Sequence, residues 1–384
     1  MNHNSRFKRV YITEPALDDP VTESILSKFP RRIQKIIPDN ASIDEDLDPK
    51  RILLLTRSQG EVVKGCPGTG EQYLCCNYQV INQTQGCPMN CTYCILQFYL
   101  NQPATIVYTN FNDIFTELKE KLKLQRKRFF RIGTGELGDS LALDASRRFA
   151  RQAIEIFAHI PNALLELKSK TAELGDFLDL NHNGHTVMAW SLNPREIIQQ
   201  DELKTAQLNQ RLAAAGKAAE AGYKIAFHFD PIMDVPDWES LYAEVIDEMY
   251  LHVAPAQIAW ISLGTLRFPP SMKDKIIERY PHTGIPFAEM IRGMDGKLRY
   301  ARPLRSPMYQ YIYQKLTSVP QPPFIYFCME SPLIWQEIIG RAPESNAHLD
   351  FMFAESLFHR FPGLLSEKPE PIHSVSYTHL RAHE

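Results

Sequence analysis

Three closely spaced cysteines are the residues whose types and spacing most clearly indicate chemistry. Cys87, Cys91 and Cys94 form a C-x3-C-x2-C pattern, and Tyr93 directly precedes the third cysteine. The pattern follows a short β-rich run, so a tight loop there can bring three thiolates to one inorganic group. A four-iron cluster normally takes four cysteines, one for each iron. Three ligands would leave one iron open to bind a substrate. A zinc site, which prefers four ligands, and three unrelated cysteines are the alternatives.

This cysteine pattern resembles that of the radical S-adenosylmethionine superfamily. The resemblance implies a [4Fe-4S] cluster on Cys87, Cys91 and Cys94, with S-adenosylmethionine bound at the open iron as cofactor or cosubstrate. It also implies that one electron from the cluster cleaves the sulfonium and gives a 5′-deoxyadenosyl radical.

Polar residues at later strand ends are the candidates for binding S-adenosylmethionine. Residues 132–136, Ile-Gly-Thr-Gly-Glu, resemble the superfamily's Gly-Gly-Glu segment, in which the carboxylate accepts from the methionine ammonium. Polar residues after the third and fourth strands are expected to meet ribose and carboxylate, with helix capping or a solvated loop as the alternative. The cofactor-binding candidates are Gly133, Gly135, Glu136, Lys170, Ser191 and Asn193.

The resemblance narrows to the spore photoproduct lyase family over roughly residues 60 to 320, with similar stretches at 86–100, 211–215, 221–224, 267–268 and 305–313. It implies cleavage of a thymine–thymine DNA photoproduct, with Tyr93 as the first of two tyrosines in a hydrogen-atom relay. Two relay positions depart from the family, because Glu136 replaces a cysteine and Ile95 replaces the second tyrosine.

These departures keep two further hypotheses open. One is the same radical initiation on a different nucleic-acid or small-molecule substrate. The other is a non-enzymatic iron–sulfur or zinc protein that binds nucleic acid. Cys66, Cys75 and Cys76 precede the cluster pattern and could supply the missing hydrogen donor, contribute with Cys328 to a second cluster, or be buried small residues.

Alternating strands and helices predict the fold that positions these residues. Strands are expected near 79–85, 129–134, 163–168, 186–192, 223–230 and 257–263, with amphipathic helices between them. This order predicts an α/β protein with a partial (β/α)6 TIM-like barrel, whose chemistry lies at the carboxyl ends of the strands. The expected division is an N-terminal region (1–78), the barrel (79–270), a small C-terminal module (271–373) and a non-native tail (374–384).

Composition limits the partners and the compartment. The 384 residues are 44% apolar and 23% charged with a net charge of −3, so a DNA lesion would have to bind a local patch. The odd count of seven cysteines does not suggest a disulfide framework, and no apolar run is long enough for a signal peptide or a membrane span. We therefore expect a cytoplasmic protein, with an electron donor such as flavodoxin or ferredoxin and no membrane. The sequence does not indicate its oligomeric state.

Three other groups are candidates for binding. His228 and Asp230 alternate with aromatic residues on the fifth strand, so both are expected to face the barrel lumen, as ligand contacts or as a structural pair. A basic run over 119–131 is expected to be a solvated helix end rather than a DNA contact. Better candidates for nucleic-acid binding are six arginines and tyrosines, with a charged surface on the C-terminal module as the alternative: Arg299, Arg302, Arg305, Tyr300, Tyr309 and Tyr311.

Overall fold

A computed structural model of the chain describes residues 6–44, 46–66 and 72–374. The strands are β1 (Arg9–Thr13), β2 (Gln34–Ile37), β3 (Ile52–Thr56), β4 (Val63–Gly65), β5 (Gln79–Ile81), β6 (Thr84–Gln85), β7 (Asn90–Cys91), β8 (Thr105–Tyr108), β9 (Phe130–Gly133), β10 (Ala163–Ser169), β11 (Thr186–Ser191), β12 (Glu202–Leu203), β13 (Lys224–Ile232), β14 (Ile258–Thr265), β15 (Arg267–Phe268), β16 (Met290–Arg292), β17 (Leu298–Tyr300) and β18 (Phe324–Phe327). The α-helices are α1 (Pro20–Leu26), α2 (Leu96–Tyr99), α3 (Phe111–Leu124), α4 (Asp144–Phe157), α5 (Arg195–Asp201), α6 (Leu208–Glu220), α7 (Trp238–His252), α8 (Met272–Arg279), α9 (Arg302–Thr317), α10 (Pro332–Ile339) and α11 (Asn346–Arg360). The expected non-native tail lies outside the described residues, apart from Ser374.

The main sheet has the order β18-β14-β13-β11-β10-β9-β5-β4 and forms the predicted partial barrel. Its pairs are parallel except β4–β5 at one edge, which is antiparallel. Every residue of β11 and β14 is buried, as expected for strands covered on both faces. The two edges of the curved sheet meet where Leu74 bridges to Glu330, with its N–H 3.0 Å from the Glu330 carbonyl oxygen.

The helices cover this sheet with the apolar stripes that the sequence predicts. On α3 the buried residues recur at helical spacing, from Phe111 to Leu122. On α6, Leu208 and Leu212 lie on the buried face together with small alanines. Gly222 follows α6 with a φ of +88°, a left-handed conformation that favours glycine at the end of a helix.

The N-terminal region forms a second sheet, in the order β2-β1-β3-β8-β6, which the sequence did not predict. The pairs β2–β1, β1–β3 and β3–β8 are parallel, and β6 pairs antiparallel to β8. Its core includes Leu53 and Val107 and packs against Leu143 and Ala145 at the start of α4. This second sheet therefore lies against the barrel beside the loop that carries the cysteine pattern.

Hydrogen bonding crosses two of the predicted domain boundaries, those after residues 78 and 270. The expected strand at 79–85 is divided, because β5 joins the barrel sheet and β6 joins the N-terminal sheet. In the C-terminal region, β18 pairs in parallel with β14 and extends the barrel sheet, while β15, β17 and β16 form a small separate sheet. The division into four ranges remains a prediction. Within the described ranges, we find no helix that has both the length and the apolar character of a membrane span.

Candidate active site

The loop that carries the cysteine pattern is fixed by both sheets. It begins at Gly86, whose φ of +104° and close approach to Thr105 leave no room for a side chain. From the N-terminal sheet side, the Lys50 ammonium donates to the Met89 carbonyl oxygen (2.6 Å) and to Asn90 Oδ1 (2.8 Å). On the barrel side, β7 within the loop pairs antiparallel with β12.

All seven cysteines of the chain line one cavity of about 880 Å³. Cys87, Cys91 and Cys94 enter it from the loop, as the sequence predicts. The other four come from the two sheet edges that meet at Leu74, and we call them the edge thiols: Cys66, Cys75, Cys76 and Cys328. The part of the chain that the structure describes has no group of three His, Cys, Asp or Glu side chains arranged to hold a single metal ion.

The three loop cysteines fit an iron–sulfur cluster, because they face one cavity from a single loop and a cluster spans more space than one ion. Burial raises the pKa of the Cys87 thiol to about 12 and also raises that of Cys91. Nearby cations offset this effect only in part, with Lys50 beside Cys87 and Lys170 beside Cys91. Thiolates at these positions therefore need a bound cation, which the irons of a cluster would supply.

Four of the six predicted cofactor-binding residues line this cavity. They are Gly135, Glu136, Lys170 and Ser191. Burial raises the pKa of the Glu136 carboxyl, and the nearby Lys168 opposes that shift. These residues place the Glu136 carboxylate and the Lys168 and Lys170 ammonium groups near the strand ends.

Gly133 and Asn193 do not line the cavity, and their direct contact with the cofactor stays a prediction. A Cβ on Gly133 would overlap the Tyr78 side chain, which fills the space beside β9. Asn193 is 1% exposed and donates to Glu202 Oε1 (2.9 Å), while its own Oδ1 accepts from Tyr242 (2.9 Å). Both residues lie behind the cavity wall and position other side chains.

Replacing Gly133 with alanine should therefore destabilise the fold rather than weaken cofactor binding selectively. The new methyl group would displace Tyr78, whose hydroxyl donates to buried Glu166. We expect a loss of about 1–3 kcal/mol in the free energy of unfolding, measured by urea denaturation. Gly60→Ala is the matched control, because a Cβ there meets nothing within 4 Å. Equal stability of the two variants would contradict this interpretation.

Tyr93 reaches the cavity from a buried charge network centred on Glu202. The tyrosine hydroxyl donates to Glu202, which also pairs with Arg211 (2.6 Å) and Lys170 (3.2 Å). These two cations help hold the pKa of Glu202 well below its usual range, against the opposing effect of burial. Burial and the Glu202 charge raise the pKa of Tyr93, so the phenol keeps its hydrogen at neutral pH.

The sequence did not single out several charged residues of the site. Lys168 and Lys297 line the cavity, as does Arg267, which pairs with Asp230 (3.1 Å). Asp230 thus lies where the alternation on β13 predicted it. His228 instead bonds Glu166 (2.7 Å) and is a buried structural pair. The position of Lys168 near the carboxyl end of β10, two residues before Lys170, was the available signal.

The predicted nucleic-acid group is wrong, because most of its members are buried and paired. Arg299 is 2% exposed and pairs with Asp295 (2.7 Å), and Arg305 pairs with Glu330 (3.2 Å). The other members are buried or engaged as well: Tyr300 and Tyr309 bond backbone N–H groups, Tyr311 packs on Trp238, and Arg302 pairs with Glu337. Sequence alone did not reveal these acidic partners.

Only some side chains of the basic run over 119–131 are exposed to solvent. Its outer members are exposed, as expected: Lys119, Lys123, Arg126 and Lys127. Arg128 is instead buried in an ion pair with Asp350 (3.0 Å), and Arg131 is buried against the Phe353 ring. These two arginines therefore anchor α11 to the barrel.

Comparisons with known proteins show the family of this chain. The family model described as spore photoproduct lyase matches residues 75–319. A spore photoproduct lyase from Geobacillus sp. is 30% identical over 240 residues, which cover 59% of this chain and 70% of the relative. One from Clostridium acetobutylicum is 23% identical over 321 residues, which cover 80% of this chain and 91% of the relative.

A solved structure shows the same fold. A spore photoproduct lyase mutant with bound AdoMet and dinucleoside spore photoproduct matches with a TM-score of 0.73 and 24% identity, covering 84% of this chain and 98% of that one. The family match extends over more than half of this chain and includes the cysteine loop and the barrel strands through β14. The chain therefore belongs to the spore photoproduct lyase family of radical S-adenosylmethionine enzymes.

Proposed function

We propose that this protein is a radical S-adenosylmethionine lyase that cleaves a thymine–thymine photoproduct in DNA. The observation that carries the proposal is the single cavity that brings the three loop cysteines together with polar strand-end residues and the edge thiols. Its volume of about 880 Å³ is at the upper end for small-molecule sites. The cavity can therefore hold a cofactor together with part of a substrate.

Cys87, Cys91 and Cys94 would hold the [4Fe-4S] cluster, and Gly135 and Glu136 would receive the methionine ammonium of S-adenosylmethionine. When bound, the cluster supplies the electron that cleaves S-adenosylmethionine to a 5′-deoxyadenosyl radical. Lys170 and Ser191 are the polar groups placed to meet the rest of the cofactor. We expect this chemistry in the cytoplasm, where thiols stay reduced.

The return of a hydrogen atom to the product requires a donor side chain from this protein. Once the radical has taken a hydrogen atom from the adduct and the adduct bond has broken, one thymine needs a hydrogen atom. Tyr93 keeps its O–H and lines the cavity, so it is available as a relay group. Glu136 and Ile95 line the cavity too, but neither a carboxylate nor an alkyl side chain is a ready hydrogen-atom donor.

Two of the edge thiols, Cys75 and Cys328, fit the role of donor, whereas the contacts with Cys75 and Arg131 lower the pKa of Cys76 to about 5 and favour its thiolate. The Cys75 thiol lies within hydrogen-bonding distance of both the Cys66 and the Cys76 thiols, and these contacts raise its pKa. Burial raises the pKa of Cys328. Both thiols therefore keep their S–H at neutral pH, which donation of a hydrogen atom requires.

Alanine replacement of each edge thiol tests this assignment. We expect at least one of Cys66→Ala, Cys75→Ala, Cys76→Ala and Cys328→Ala to lower the yield of thymine several-fold. The formation of 5′-deoxyadenosine should continue in that variant, because radical initiation does not need the donor. Both products are quantified by mass spectrometry after anaerobic turnover. If all four variants restore thymine as well as the parent protein does, the edge thiols are not the donor.

Turnover with a defined substrate tests the proposed function itself. The reconstituted protein is incubated anaerobically with S-adenosylmethionine, dithionite and a spore-photoproduct dinucleotide. Restored thymine together with 5′-deoxyadenosine would support the lyase. Formation of 5′-deoxyadenosine without thymine would reject this substrate. That outcome would favour the second candidate, a radical enzyme for a different substrate, which Glu136 and Ile95 at the relay positions motivate.

A further inference from the structure

A second cavity, of about 430 Å³, also reaches the cysteine loop. Cys87 and Cys94 line it as well as the larger cavity. Leu96, Leu100 and Gln102 line both cavities too, whereas residues 48–50, the start of β8 and the end of α8 line only the second one. The cysteine loop is thus a shared wall, and the second cavity approaches the cluster position away from the cofactor-binding residues.

Positive charge collects around this second cavity. Lys50 and Arg279 line it, and three more cations lie close by. We call the set the cluster-side patch: Arg6, Lys50, Arg51, Lys204 and Arg279. Asp48 is a carboxylate on the same rim.

Lys204 shows how closely these charges lie. Its pKa is lowered first by partial burial and then by Arg6, Lys50 and Arg51, while Asp48 opposes that shift. Like charges at this density repel one another, so an anion that binds among them relieves the repulsion.

Arg6 is a second, independent indication that an anion belongs here. Its Nε and Nη1 atoms are buried and have no hydrogen-bond partner among the residues that the structure describes. Buried guanidinium nitrogens are normally paired, because an unpaired buried donor costs free energy. The side chain lies close enough to Cys87 that a thiolate there would stabilise the arginine charge.

We propose that the cluster-side patch is the docking surface for a small acidic one-electron carrier protein. The inference rests on the proposed function, because it needs a cluster on the three loop cysteines. That cluster takes up one electron to initiate the reaction. Cofactor and substrate would occupy the larger cavity, so the carrier must approach from another side, and the second cavity gives it a short path to Cys87 and Cys94.

The positive charge of the cluster-side patch indicates an acidic partner. The whole chain carries a net charge of −3 and would repel an acidic protein, so attraction must come from a local cationic surface. Transient redox partners use small interfaces that depend on charge, typically below about 1,200 Å². An exposed patch around a shallow cavity suits such a complex.

A double charge reversal tests the docking surface. Arg51→Glu with Lys204→Glu alters two exposed members of the patch. Lys123→Glu with Lys127→Glu makes the same change in charge at exposed positions in the last turn of α3 and in the loop that leads to β9. This loop enters β9 at its amino end, whereas the cysteine loop follows the carboxyl end of β5. The probe is an acidic bacterial flavodoxin, and its Kd for the cluster-loaded protein is measured by calorimetry at low salt.

We expect the patch variant to bind flavodoxin at least about tenfold more weakly, and the α3 variant to bind as the parent does. Flavodoxin-driven formation of 5′-deoxyadenosine should fall in the patch variant only, while the dithionite-driven rate stays the same. Equal affinities of the two variants would overturn the docking surface. If the parent protein forms no 5′-deoxyadenosine even with dithionite, the proposed function fails, and the binding comparison still decides the docking surface.

Discussion

Cys91→Ala should remove nearly all cluster iron from the protein and abolish 5′-deoxyadenosine formation. The parent protein should hold about four iron and four sulfide per chain after anaerobic reconstitution. Cys91 is one of the three proposed loop ligands, and its backbone pairs with β12, so the variant should keep its local fold while losing the thiolate. Iron, sulfide and the brown absorption are measured on the same sample.

Cys328→Ala is the matched control for this experiment. It removes another buried thiol from the same cavity, but one that lies on a sheet edge rather than on the cysteine loop. This variant should keep its iron. Full iron retention in Cys91→Ala, or equal loss in both variants, would contradict the assignment of the loop cysteines as the ligands.

Glu202→Gln should cause the largest loss of stability of any conservative change near the site. The Glu202 side chain is fully buried between Arg211 (2.6 Å) and Lys170 (3.2 Å). The amide keeps the shape but leaves two cations without their anion. Breaking a buried ion pair in this way costs about 3–5 kcal/mol in the free energy of unfolding. Urea denaturation of the cluster-loaded protein measures it.

The pH dependence gives this prediction a second readout. Glu202 has a folded-state pKa below the ordinary value of 4.5, so its contribution is fully present above pH 4.5 and is lost as pH falls toward the folded-state pKa. The stability gap between the parent and Glu202→Gln should therefore narrow in acid. Glu196→Gln, at an exposed position on α5, should show neither effect. A gap that does not change with pH would contradict the charge network.

The sequence predicted the elements whose patterns are local. The barrel strands and the helical stripes could be identified because each buries a regular set of apolar residues, as on α3 and β14. The cysteine loop was identifiable because its ligands lie within one short segment. The N-terminal sheet was not, because β1, β2 and β3 are short and their pairing depends on β8 far along the chain.

Side-chain partners distant in sequence account for the errors at the site. In the sequence alone, Arg299 and Arg305 are consistent with a nucleic-acid surface. In the structure, Asp295 and Glu330 form ion pairs with them. Gly133 matches the sequence pattern of a cofactor contact. In the structure, the Tyr78 side chain occupies the space next to it. The meeting of Cys328 with the other edge thiols depends on closure of the sheet, which no local pattern encodes.

The cysteine loop lies between two sheets, and residues from both sides fix it. The barrel side supplies strand-end residues of the cavity and Glu202, which accepts from Tyr93 of the loop, whereas the N-terminal sheet side contributes Lys50, which holds the loop backbone. Fixing the loop from both sides keeps three thiols facing one cavity while two of them remain reachable from the cluster-side patch.

The central claim is that a radical formed in this cavity removes a hydrogen atom from a thymine–thymine photoproduct and thereby releases thymine. The most direct test uses a dinucleotide photoproduct with deuterium at its non-exchangeable carbon positions, incubated with the cluster-loaded protein, S-adenosylmethionine and dithionite. Mass spectrometry then measures deuterium in 5′-deoxyadenosine and the amount of thymine released. The account predicts deuterated 5′-deoxyadenosine together with restored thymine. Deuterium-free 5′-deoxyadenosine and an intact photoproduct would contradict it.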